Sequence, residues 1–192
     1  MRAEVEVKRN EYFIKAEKLK FIETMLTGDV PKKMYATYLW NLHKRYDLVE
    51  TVAESAGLLG NLSGIQRKTK VLEDYNELWN ESDSPPILNS TNEYIKHFKI
   101  IMDDEKAILG HMYALYIGNL EHGATLADKT PGRGVMYQYD DGLMDGELAV
   151  LKLKDTLLDK ITNESSSTTV SEVENCFNLS LKLCEEIIGL DI

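Results

Sequence analysis

Basic residues are scarce beside acidic ones: 22 lysines and arginines face 32 aspartates and glutamates in 192 residues, a formal charge of −10. A surface of that sign repels phosphate backbones and anionic headgroups, which argues against nucleic-acid and membrane-surface partners. Cysteine is nearly missing. Cys176 and Cys184 fall in one helical pattern, eight positions apart, where a straight helix cannot join them, so they read as reduced, buried small apolar residues. Long apolar runs are missing too. The longest charge-free stretch at an apolar centre, Ala107 to Leu120, is interrupted by His111 and two glycines and is too short and polar to span a bilayer. The charged opening residues contain no signal-peptide core, so a cytoplasmic protein is expected. No phosphate loop, dinucleotide fingerprint, zinc-type cysteine spacing or nucleophile elbow is present, and spacing alone names no reaction.

Four prolines and twelve glycines, mostly clustered, leave long segments in which apolar residues recur at three and four. That pattern predicts an all-α protein, one domain over 1–192 with about seven helices. A first helix is expected from Ala3 to Met25, stopped by Gly28 and followed by Pro31 at the start of a second that runs to Ala56. A third spans Ile65 to Trp79, and Pro85 and Pro86 enforce a loop after it. A fourth starts at Ser90 or Thr91, and Asp103 and Asp104 open a fifth through Leu120. Gly110 and Gly118 inside that fifth helix cost about 1 kcal/mol each relative to alanine, which points to close approach by another helix or a ligand, or to a bend. Asp128 to Gly146 reads as irregular, with a short extended piece at Val135 to Tyr139. Glu147 to Ile161 is helical again, and Ser171 with Glu174 forms the capping box of a last helix ending near Ile188.

The segment His111-Met-Tyr-Ala-Leu-Tyr-Ile-Gly-Asn-Leu-Glu-His-Gly123 resembles the distal-helix signature of the heme oxygenases, His-x-Tyr-x-Arg-Tyr-Leu-Gly-Asp-Leu-Ser-Gly-Gly. Further segments in the same order are similar to that family: Phe21 to Val30, Asn41 to Glu50, Gln66 to Trp79, and Glu174 to Ile187. The resemblance covers nearly the whole chain at low identity. It implies the helical heme oxygenase fold, with heme as both cofactor and substrate between the first helix and a glycine-bent distal helix. It also implies electrons from a reductase or ferredoxin-type donor, and the products biliverdin, iron and carbon monoxide. Gly118 and Gly123 match the glycines that let a helix backbone lie against a flat macrocycle, which a Cβ would prevent. Asn119 stands where the family has an aspartate that orders distal water, and Tyr46 matches the tyrosine of the same network. An amide can donate and accept but cannot act as a general base.

The departures bear on chemistry. The family's proximal histidine precedes an Ala-Glu pair by three residues; before Ala16 and Glu17 that position holds Phe13, whose phenyl ring cannot ligate iron. The arginine that holds a propionate falls at or near Asp155. His122 replaces one distal glycine and is either a solvent-facing residue or an iron ligand from the opposite side of the macrocycle. His111 matches a family histidine that is not a ligand, and His97 reads as a surface residue. His43, Asp47 and Glu50 share a helical face, and Asp104 and His111 are again seven apart, as a nonheme diiron site would require, though an acid-rich chain shows such spacing by accident. Three readings follow: a divergent heme oxygenase, a noncatalytic tetrapyrrole-binding or protein-interaction module on the same fold, and, as a minor third, a diiron oxidase.

Overall fold

The computed structural model describes residues 2–62, 64–139, 146–164 and 166–191. Among these the chain is helical, without strands, in the order α1 (Arg2–Ala16), α2 (Lys20–Thr27), α3 (Lys32–Ser55), α4 (Lys68–Leu78), α5 (Asn89–Ile101), α6 (Glu105–Ala127), a 3-10 turn (Val135–Tyr137), α7 (Gly146–Glu164) and α8 (Ser167–Ile188). The central element is α6, buried at every position from Ala107 to Ile117 and therefore surrounded rather than one-sided. It packs on α8, α7 and α3, while α1, α2 and α5 close around α8. No helix of the described residues is long and apolar enough to cross a membrane.

The expected first helix is two. After Ala16 the hydrogen bonds tighten, with Lys18 N–H reaching Lys15 O and Leu19 N–H reaching Ala16 O. Leu19 is extended, and the turn lets Ala16 at the end of α1 and Phe21 and Met25 in α2 be buried separately. Gly28, at φ 83°, closes α2 in the left-handed conformation that favours glycine, its N–H bonded to Met25 O and Thr24 O.

The piece read as extended at Val135 to Tyr139 instead begins as a 3-10 turn, because two distant side chains capture its backbone. Asp74 accepts from the N–H groups of Val135 and Met136, both at 2.8 Å. The buried Arg67 guanidinium donates to Met136 O and Gln138 O and lies 3.9 Å from the centre of the Tyr139 ring. The last helix also starts earlier than expected. Ser166 and Thr169 cap it reciprocally, so Ser171 is already inside α8 and its hydroxyl bonds back to Thr168 O. Cys176 and Cys184 are buried free thiols.

Candidate functional site

The second half of α6 is less enclosed than the first. Gly118 and Asn119 are only half-buried, and there the helix faces an apolar cleft whose other walls come from α1, α2, α3, α8 and Tyr137. Phe13 and Ala16 contribute from α1, Met25 from α2, Tyr38 and Leu42 from α3, and Leu183 from α8. The cleft encloses about 160 Å³. A methyl group added at Gly118 would meet nothing nearer than the Phe13 ring edge at 3.9 Å, so this glycine faces the cleft and Phe13 stands opposite it.

The polar groups on this wall form one chain. Tyr46, buried on α3, donates its hydroxyl to Leu115 O at 2.8 Å, and the Asn119 side-chain amide donates to the same hydroxyl oxygen at 3.1 Å. Burial pushes the Tyr46 phenol well above its ordinary pKa, so it stays a neutral donor. The Leu115 carbonyl that it takes is a helix acceptor inside α6, which ties α3 to the distal segment at the point where Gly118 leaves room.

His122 and Phe13 meet across the cleft. Their ring centroids are 4.8 Å apart at 84°, an edge contact. His122 is otherwise exposed. Gly123, which the motif places on the macrocycle surface, turns away from it: a Cβ there would come within 3.1 Å of the Tyr137 ring. Its glycine is required by the packing of Tyr137, which is itself fixed by a 3.1 Å bond to the Tyr35 hydroxyl. Asp155 is exposed on α7, and its neighbour Lys154 reaches Glu121 at 2.7 Å, where Arg9 of α1 also binds at 3.0 Å.

The residues that the diiron spacing would bring together do not converge. His43 Nδ1 bonds Lys68 O, Asp47 is an exposed partner of Lys68, and the buried Glu50 accepts from Lys68 N–H and the Tyr116 hydroxyl. Asp104 caps α6, accepting from Lys106 N–H. His97 is not the surface residue expected; it is half-buried and bonds Glu172 at 2.6 Å. Glu172 also bonds His111, a contact between α8 and α6 with no signal in residue spacing. Burial alone would raise the Glu172 carboxyl, but hydrogen bonds from His111, His97 and Asn175 outweigh it and hold the pKa at about 2.

The heme oxygenase family model matches residues 6–150. The heme oxygenase of Guillardia theta is 24% identical over 90% of this chain and 79% of its own length; that of Porphyra purpurea is 25% identical over 90% and 80%. Among solved structures, Synechocystis heme oxygenase-1 in complex with heme superposes with a TM-score of 0.80 at 18% identity, over 98% of this chain and 92% of that one. Leptospira interrogans heme oxygenase gives 0.76 at 20% identity, over 96% and 98%. With a family model spanning most of its length and the same helical fold, this chain belongs to the heme oxygenase family.

Proposed function

We propose that this chain binds a heme-class tetrapyrrole in the cleft between α1 and α6. The observation that carries the reading is the bare face of Gly118, turned into an apolar cleft beside the Asn119–Tyr46 hydrogen bond. A flat macrocycle needs a wall without Cβ atoms and apolar surroundings, and these residues supply both.

They do not supply the proximal ligand. Phe13 occupies that wall and offers no donor atom to an iron. His122 is the imidazole on the cleft wall, on the distal side, and it is the group assigned to an iron if one is bound. The Phe13–His122 contact must open for that. A cleft of about 160 Å³ is also smaller than the roughly 300–1,000 Å³ of ordinary ligand pockets, so entry requires the two rings to part.

Oxidative opening of heme to biliverdin, iron and carbon monoxide is the second reading, favoured by the Tyr46–Asn119 pair. In it His122 is turned away from the iron, and the Tyr46 hydroxyl, held neutral, and the Asn119 amide position water beside the macrocycle, while a reductase or ferredoxin-type donor supplies electrons. Neither residue can hold a negative charge there as an aspartate does, so ordering water is the whole of their contribution.

Hemin titration followed through the Soret band tests the first reading: saturable one-to-one binding is expected, and a linear, unsaturable response would remove it. Adding a reductant and dioxygen to the complex separates the second. Growth of a biliverdin absorbance supports ring opening, and a stable reduced complex leaves binding alone.

A further inference from the structure

Away from the cleft, at the first half of α6, three side chains from three helices converge. His97 of α5, His111 of α6 and Glu172 of α8 each place one ligand-capable atom so that all three lie within 4.8 Å of one another. Glu172 Oε2 is 2.6 Å from His97 Nε2 and 3.1 Å from His111 Nε2. His111 is fully buried and the Glu172 side chain is 9% exposed, whereas that of His97 is 31% exposed, so the cluster opens to solvent on one side.

Neighbouring groups hold these three in place. His111 Nδ1 is 2.9 Å from the Tyr94 hydroxyl, and Glu172 Oε1 accepts from the Asn175 amide at 3.3 Å. The approach itself depends on Gly110. A Cβ there would lie 2.7 Å from Thr169 O and 3.0 Å from Glu172 Cβ, so α8 can bring Glu172 to His111 only because residue 110 has no side chain.

Two imidazoles and a carboxylate are the donor set of catalytic-type zinc sites, with a fourth position left for water. We propose that His97, His111 and Glu172 form a site for one divalent ion of the zinc class, with its fourth position open to solvent beside His97. Bonds of about 2.0–2.1 Å in tetrahedral geometry set donors roughly 3.3 Å apart. The His111–Glu172 pair is already near that spacing; the His97–Glu172 pair must widen by about 0.7 Å and the two imidazole nitrogens, within 4.8 Å of each other, must close by up to about 1.5 Å, a rotation that falls to His97, the most exposed member. Without metal, both Nε2 atoms carry the protons that they donate to the carboxylate. On binding, the His111 proton moves to Nδ1, where the Tyr94 oxygen can accept it, and His97 carries its proton on its outer nitrogen. The acidic net charge of the chain favours a cation.

The test uses the full-length chain, free of heme and metal, titrated with Zn2+ by calorimetry and with Co2+ by visible absorption. One equivalent is expected, with the intense visible bands of a low-coordinate Co2+ site and a melting temperature raised by Zn2+. His97→Ala keeps the metal-free melting temperature, since His97 is the partly exposed member, and lowers affinity at least tenfold with loss of the bands. Glu172→Gln, which retains the shape without the charge, weakens binding likewise. His43→Ala and His122→Ala bind as the parent does. Absence of stoichiometric binding, or binding that survives His97→Ala, overturns the proposal.

Discussion

Two of the three glycines of α6, Gly110 in its first half and Gly118 in its second, serve opposite ends. At Gly110 the space a Cβ needs is taken by the backbone of α8, at 2.7 Å from Thr169 O; at Gly118 it is free, with only the Phe13 ring edge at 3.9 Å. The helix is therefore a packed joint around Gly110 and a wall kept bare toward a cleft around Gly118. A glycine in a helix costs about 1 kcal/mol in either place, but only the surroundings say what offsets it.

The largest expected effect breaks the packed half. Gly110→Ala forces α6 and α8 apart and costs about 2 kcal/mol, as overpacking against backbone does, read as a lower urea midpoint with an unchanged slope. Gly118→Ala has the opposite sign for stability, a gain of up to about 1 kcal/mol from helix propensity, while it weakens hemin binding. If both alanine variants destabilise alike, the contrast between the halves is wrong.

Phe13→His sharpens the open half by adding the donor that position 13 lacks. Hemin affinity rises by at least tenfold, about 1.4 kcal/mol, with an imidazole-type spectrum. An unchanged affinity would show that position 13 does not face the macrocycle. A smaller effect is expected of Tyr46→Phe. It removes the donor from Leu115 O and the acceptor from Asn119 together, at a cost of about 1 kcal/mol in chemical denaturation.

The smallest effect is a pH dependence at Glu50 of α3. Burial raises the Glu50 carboxyl above its ordinary 4.5, against the lowering effect of the Arg67 and Lys68 N–H groups and the Tyr116 hydroxyl. A raised folded pKa favours the folded state below 4.5, and that contribution is lost as pH climbs from 4.5 through the folded value. The stability of the parent minus that of Glu50→Gln should therefore fall as pH rises through that window and then level off. A difference that grows with pH would mean that Glu50 is held ionised instead.

Much of the open half was legible in residue order. The distal motif named Gly118 and Asn119, the Asn41–Glu50 segment named Tyr46, and Asn119 and Tyr46 bond each other; Phe13, picked out by its spacing from Ala16 and Glu17, faces Gly118. Local order fails where distant side chains decide. The motif placed Gly123 on the macrocycle side, yet the Tyr137 ring claims that space, and Tyr137 is held there by a segment that Arg67 and Asp74 fold. An N-cap at Ser171 satisfies the same local rule as Ser166, and only the earlier pairing with Thr169 decides between them. The His97, His111 and Glu172 cluster joins three helices whose separation in sequence carries no periodic trace. Gly110 is its one linear sign, since a glycine inside a helix announces close approach without naming the partner.

The most direct measurement on the central claim, that α6 is kept bare at Gly118 for a tetrapyrrole, is a hemin titration of Gly118→Leu beside the parent protein. The leucine side chain enters the cleft toward Phe13 and leaves the packed joint at Gly110 untouched. The account predicts a melting temperature within a few degrees of the parent and loss of saturable Soret binding; parent-like hemin affinity in a folded Gly118→Leu variant would contradict it.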